Sequence, residues 1–198
     1  MNKLLVVDVD GVCLDWHSGF ISWVEEEHGI LLDKSSSKAS YDMETWFEGN
    51  MSKDLFKQLV VAYNSSPRVL KPLEYSQDVL INISRWLDWD VVALTAFGSC
   101  PIQSKFREEY LQVLYKDIFS EVIVLGLGAS KKDKLKELKP DLFVEDNIQH
   151  AESARDVGVK SVLLEKTYNK GSDLLYAKDW LQIMNHVRDI DNKSKKGK

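Results

Sequence analysis

Leu4-Leu5-Val6-Val7-Asp8-Val9-Asp10-Gly11-Val12 is the stretch whose reading decides the fold. Its apolar run is continuous, not alternating, as expected of a strand covered on both faces in a parallel sheet. The run ends on Asp8 and Asp10, and carboxylates two residues apart on an extended backbone lie on one side of it. Gly11 lets the chain turn away so that both face a ligand.

Similar runs recur at residues 91–95, 122–125, 142–145 and 161–164. Between the later ones lie helical periodicities at 102–115, 132–138 and 148–157. Gly98, Ser99 and Pro101 read as loop, cap and first turn of the helix over 102–115. Strand and helix in repetition predict an α/β fold with a Rossmann-like parallel sheet covered on both faces. Residues 16–76 break the rhythm. They hold helical segments at 20–28 and 53–63, a polar loop at 33–40 and no buried strand. This predicts a small helical cap inserted after the first strand, over the carboxyl ends where open α/β sheets bind ligands. The predicted organisation is a core of residues 1–15 and 77–190, a cap of 16–76 and a disordered basic tail of 191–198.

A chain of 198 residues with 44% hydrophobic and 29% charged residues can bury a core without disulfides or structural metal. The net charge of -5 offers no basic face for a nucleic-acid backbone. The cluster Lys193, Lys195, Lys196 and Lys198 reads as a solvated tail. Cys13 and Cys100 form no CxxC pair, which argues against a disulfide framework and a cysteine zinc site. The apolar run before Asp8 is too short for a signal peptide or a membrane span, so the expected location is cytoplasmic. His17, His28, His150 and His186 share no metal-ligand spacing, and Gly126-Leu127-Gly128 lacks the spacing of a phosphate loop.

Four features fall at strand or helix ends: Asp8-Val9-Asp10-Gly11, Thr95-Ala96, Lys134, and Glu145-Asp146. A carboxylate can attack phosphorus and form an acyl phosphate, dividing one displacement into two. Asp8 is placed for this and Asp10 for general acid and base work. Mg²⁺ prefers oxygen ligands, and Asp8, Asp146 and the Asp10 carbonyl can supply them. The Thr95 hydroxyl, neighbouring N–H groups and Lys134 can meet the phosphoryl oxygens. A calcium loop does not fit, because its later oxygen ligands and terminal Glu are missing.

This pattern, an apolar strand with DVDGV, then LT, a lysine and LFVEDN, resembles the haloacid dehalogenase (HAD) superfamily of aspartate-nucleophile hydrolases. The resemblance implies Asp8 as nucleophile, Asp10 as acid/base, Thr95 and a lysine as phosphate ligands, and Asp146 as a metal ligand. Lys134 is preferred because it directly precedes the apolar helical positions, with Lys131 and Lys132 as rivals. Within the superfamily the chain is most similar to the 5'(3')-deoxyribonucleotidases. The stretches that carry this are DVDGVCLDWHSGF, ETWF, LKPL and a late YAKDWLQIM helix. That likeness implies a Mg²⁺-dependent, 5'-nucleotidase-like phosphatase acting on (deoxy)nucleoside monophosphates. Trp16, Trp46 and Phe47 would stack on the base, and Ala96 would sit beside the phosphate.

The chain departs from that pattern in TAFG, in Glu145-Asp146, and in Pro67-Arg68. Arg68 is therefore expected to contact a more anionic or polar substrate. The alternatives are another small phosphate ester, such as a sugar phosphate or a nucleic-acid 3'-phosphate end, or a non-catalytic binding protein of the same fold. The expected partner is a small phosphorylated molecule and not a membrane, with homodimerisation left open.

Overall fold

Six parallel strands form one sheet in the order β3-β2-β1-β4-β5-β6. They are β1 (Leu4–Val7), β2 (Asp90–Thr95), β3 (Phe119–Val124), β4 (Leu142–Glu145), β5 (Ser161–Leu164) and β6 (Leu175–Ala177). The computed structural model describes residues 2–196 except 37, 50, 67 and 99. Ser99 and Pro67, singled out above, therefore lie outside the described residues.

The continuous apolar runs follow from burial on both faces. Leu5 and Val7 of β1, with Val91, Ala93, Leu142 and Val144, belong to one core, and Val6, Val92, Leu94 and Phe143 to another. Alternate residues of a strand point to opposite faces, so neither face can be polar. The first core is closed by Val79, Leu80 and Ile83 of α3 (Ser76–Leu87), Leu111 of α4 (Pro101–Leu114), and Trp180, Ile183 and Val187 of α7 (Trp180–Lys196). The second is closed by Leu135 of α5 (Lys132–Leu138) and Ala154 of α6 (Ile148–Asp156).

β1 lies between β2 and β4. The chain moves outward to β3 on one side and later to β6 on the other, which makes the carboxyl end of β1 a topological switch point. Asp8 is the first residue past that end.

The inserted segment supplies α1 (Trp16–His28), a short 3-10 turn (Met43–Trp46) and α2 (Lys53–Asn64). Asp15 caps α1 by accepting from the Ser18 N–H, and Ser52 caps α2 by accepting from the Leu55 N–H. α1 closes on Gly29 at φ 64°, a left-handed position suited to glycine. Among the described residues the segment contains no strand, as expected. It adds Phe20, Val24, Phe47, Leu59 and Tyr63 to the first core.

Two expectations need correction. Tyr176 and Ala177, expected in a late helix, belong to β6, and the helix begins only at Trp180. Asp179 ends the strand connection by accepting from the Gln182 N–H at 2.8 Å. The tail from 191 is not disordered through its described part, because α7 continues to Lys196. Asp191 holds it there through Lys3 at 2.8 Å and the Trp89 indole at 3.4 Å. Lys198 lies outside the described residues.

Candidate active site

The turn after β1 presents the first carboxylates. Cys13 and Leu14 donate backbone bonds to Val9 O, and Gly11 donates to Leu14 O at 2.9 Å. Tyr115 donates its hydroxyl to Cys13 O at 2.7 Å, and the Trp180 indole donates to Val12 O at 2.9 Å. The turn is therefore fixed by the core. Gly11 sits at φ 86°, and a Cβ there would lie 2.1 Å from Asp146 Oδ2. Only glycine fits both the conformation and the space.

Asp8 is buried and donates its N–H to Val144 O at 2.9 Å. Parallel pairing of Val7 with Val144 brings it beside Glu145 at the end of β4. Lys131 Nζ reaches Asp8 Oδ1 at 2.5 Å and Glu145 Oε2 at 2.7 Å, with 2% of its side chain exposed.

The structure thus brings Lys131, one of the two rivals, to Asp8 and not the preferred Lys134, whose side chain is 39% exposed and pairs with Glu137 at 2.8 Å. The reason is helix phase. Leu135 N donates to Lys131 O at 3.0 Å, so residue 131 already has helical geometry, and residues four apart share a face. Lys131 therefore faces inward with buried Leu135, while Lys134 is turned about 100° from Leu135. Lys132 points outward to Asp156 at 2.9 Å.

Glu145 has both oxygens engaged, since Oε1 accepts from the N–H groups of Asp146 and Asn147 at 3.1 and 3.2 Å. It orients the loop and Lys131. Asp146 is buried and accepts from the Tyr168 hydroxyl, and its backbone carbonyl accepts from Asn169 at 2.9 Å. Tyr168 and Asn169 come from the 3-10 turn after β5 and carry no local sequence signal.

Burial pushes the Asp8 and Glu145 carboxyls up to about 7, opposed by Lys131, and neighbouring carboxylates add to the rise. Asp146 is pushed up to about 6 by burial and then by Asp8. Burial disfavours the Lys131 ammonium, yet Asp8 and Glu145 outweigh it and hold its pKa above the usual range.

Three buried carboxylates, Asp8, Glu145 and Asp146, thus each bring an oxygen within 4.8 Å of the others. Against them stand the Lys131 ammonium, paired with the first two, and the Lys166 ammonium acting on Asp146. That excess of negative charge, made of oxygen donors, fits a hard divalent cation. Asp8 and Asp146 can hold it, whereas Glu145 is already fully engaged.

Asp10 turns its carboxylate away from this cluster. Its Oδ1 is 2.7 Å from Arg107 Nη1, whose side chain is 6% exposed. Arg107 escapes sequence reading; a lone arginine four residues before buried Leu111 on α4 is the only signal it leaves.

Thr95, at the end of β2, is 1% exposed. The pairing of Val7 with Ala93 puts Thr95 near the level of Asp8.

Asp10 and Ala96 border a cavity of about 840 Å³, whose lining does not include Asp8, Thr95, Lys131 or Asp146. Trp16, His17, Tyr41, Met43, Phe56, Lys57, Val60, Val61 and Asn64 line it from the inserted segment, and Asp10, Ala96, Phe97, Gly126, Leu127, Gly128 and His150 from the core. Of the expected substrate residues, Trp16 and Ala96 line it. Trp16 stacks on Phe20 at 4.8 Å and donates its indole N–H to Asn64 at 3.0 Å.

Trp46 and Phe47 are not part of that lining. Both are buried; Trp46 donates to Ser40 O at 3.0 Å, and Phe47 meets Phe20 edge-on. Trp46 packs beside His17, a lining residue, with ring centroids 6.3 Å apart, and Phe47 follows the 3-10 turn into the core. Arg68 lies instead in an adjoining recess that shares Asn64 and Phe97, with its guanidinium over the Tyr63 and Trp23 rings at 4.6 and 5.0 Å. His17 and His150 line the cavity as neutral imidazoles, their pKa values pushed down to about 4, chiefly by burial.

No protein-family model matches the chain. An uncharacterized 32.4 kDa protein from the Gp30–rIII intergenic region of Enterobacteria phage T4 is 26% identical over 166 residues, covering 79% of this chain and 58% of that protein. The chain thus spans little more than half the length of that relative. A haloacid dehalogenase-like family hydrolase from Streptococcus pneumoniae superposes with a TM-score of 0.65 at 14% identity, over 93% of this chain and 98% of that one. A Bacillus subtilis protein assigned as a HAD hydrolase and solved with bound magnesium gives 0.59 at 13% identity, over 94% and 98%. These likenesses establish the α/β fold of HAD-superfamily hydrolases. Among the described residues no helix is long and apolar enough to cross a membrane.

Proposed function

We propose that this chain is a Mg²⁺-dependent phosphomonoester hydrolase with Asp8 as nucleophile. The observation that carries this is the buried Asp8 carboxylate, 2.5 Å from the Lys131 ammonium and grouped with Asp146. Asp8 stands two residues before Asp10, which borders a large cavity. The magnesium in the Bacillus subtilis relative supports the choice of metal. Asp8 and Asp146, with the Asp10 carbonyl, would hold the cation, which when bound supplies positive charge against the phosphoryl oxygens.

The Thr95 hydroxyl, the N–H of Ala96 and Lys131 would hold the transferring group. Asp8 attacks phosphorus as the ester P–O bond breaks, and Asp10 gives its proton to the departing oxygen. Asp10 then takes a proton from water, whose oxygen attacks phosphorus, and the bond to Asp8 breaks to release phosphate.

In this reading residues 16–76 are a cap over a core of 1–15 and 77–190. The preferred substrates are (deoxy)nucleoside monophosphates, because the cavity is large enough for a nucleoside and Trp16, Phe56 and Phe97 line it. Asp8→Asn, assayed on a panel of deoxynucleoside monophosphates and sugar phosphates with Mg²⁺, is expected to keep its fold and lose all turnover. Surviving turnover rejects the nucleophile. Faster hydrolysis of sugar phosphates by the wild-type chain replaces the nucleotide reading, and a blank panel returns the chain to the non-catalytic class.

A further inference from the structure

We infer that Arg107 is a positioning residue for Asp10, held in register with the cap through Phe97 and Asn64. The inference rests on the hydrolase reading above. Asp10 stands at the start of the turn over residues 11–13, and its side chain is 21% exposed, whereas Arg107 is 6% exposed, with Nη1 2.7 Å from Asp10 Oδ1. An arginine buried to this degree requires a partner, and Asp10 is the only carboxylate with which it forms a salt bridge among the described residues.

The guanidinium is itself braced. It lies over the Phe97 ring at 4.0 Å, and Phe97 is 7% exposed. The backbone carbonyl of Phe97 accepts from Asn64 Nδ2 at 3.3 Å, and Asn64 Oδ1 accepts from the Trp16 indole at 3.0 Å. Contacts thus run from α1 and α2 through Asn64 and Phe97 to Arg107 on α4, and from there to Asp10.

The consequence for chemistry is geometric. With Oδ1 held, the Asp10 carboxylate plane is fixed and Oδ2 is the oxygen left to exchange a proton with the leaving group and then with water. A planar guanidinium braced on a ring defines that plane as a flexible ammonium does not. Proton transfer is sensitive to such placement, and a misplacement of about 1 Å can cost on the order of 10²-fold in rate.

The test is a double-mutant cycle on the full chain. Arg107→Lys and Arg107→Met are each made in the wild-type and Asp10→Ala backgrounds. Phenyl phosphate with Mg²⁺ serves as substrate, because its phenolate leaving group, with a pKa of about 10 as for tyrosine, benefits from a proton. Each substitution alone is expected to lower kcat by about tenfold to a hundredfold with KM little changed. In the Asp10→Ala background the same substitutions are expected to cost nothing further.

An equal loss in both backgrounds, a rise in KM at constant kcat, or an unchanged kcat overturns the inference. Should Arg107→Met fail to fold, the charge-preserving Arg107→Lys pair decides on the same criteria. If Asp10→Ala itself keeps full turnover, the acid/base assignment falls and this inference with it. If Asp10→Ala loses turnover and the Arg107 variants do not, only this inference falls.

Discussion

Replacing Lys131 with methionine removes one ammonium from between two buried carboxylates. Its Nζ lies 2.5 Å from Asp8 and 2.7 Å from Glu145, and the three side chains are 2, 8 and 1% exposed. Removing one partner of a buried pair typically costs about 3–5 kcal/mol, because the remaining charge stays buried and uncompensated. For a domain of this size each kcal/mol moves the melting point by about 2–4 °C, so a fall of about 6–20 °C is expected. The loss depends on pH with a definite sign. The folded carboxyls of Asp8 and Glu145 are pushed up to about 7 from ordinary values of 3.8 and 4.5. Between those values the folded state binds more protons than the unfolded chain, so stability falls as pH rises toward 7. Lys131 opposes that rise, and its removal steepens the fall. Calorimetry of the metal-free protein at pH 5 and pH 8 should show a larger deficit at pH 8. Lys134→Met, changing an exposed residue paired with Glu137, should leave melting and turnover unchanged. A Lys131→Met protein as stable as wild type at pH 8, or activity lost on Lys134→Met instead, would refute the assignment.

Mg²⁺ added to EDTA-stripped protein should raise the melting point. At a hundredfold excess over its Kd the gain is about 2.7 kcal/mol, or about 5–11 °C. The gain should be larger at pH 8 than at pH 5, since Asp8 and Asp146 are pushed up to about 7 and about 6 and the cation must displace their protons in acid. No shift at either pH would remove the metal from the proposal. Gly11→Ala sets a Cβ 2.1 Å from Asp146 Oδ2 at a φ of 86°, so it should lower the melting point and abolish the Mg²⁺ shift together; a retained shift would mean that Asp146 is not a ligand.

Most of the sheet is legible in the sequence because its strands are buried on both faces and write continuous apolar runs. β6 is not, since Leu175 is exposed, Tyr176 half-buried and only Ala177 fully buried. The last turns of α7 are obscured by lysines, although Ile183, Val187 and Ile190 mark a core-facing stripe. Asp8, Asp10 and Asp146 are legible as members of a motif. Arg107, Tyr168 and Asn64 are not, because their roles come from contacts with residues 97, 22 and 48 positions away.

Lys131 is a different case, because helix phase alone gives the direction of its side chain. The preference for Lys134 rests on adjacency to apolar positions, but adjacency along a helix places residues on different faces. Counting back from Leu135 by four, or from Leu138 by seven, reaches 131, the position whose side chain follows the core-facing stripe. The charge then makes sense of the burial. An ammonium on that stripe must find carboxylates, and the pairing of Val7 with Val144 sets Asp8, just past β1, beside Glu145 at the end of β4. Two cations buried among the described residues, Lys131 and Arg107, each end on a carboxylate of the first motif. The lysine is bound to Asp8, the proposed nucleophile, and the arginine to Asp10, the proposed acid and base. The two carboxylates that leave β1 as near-equivalents are thereby given different surroundings by two helices of the core.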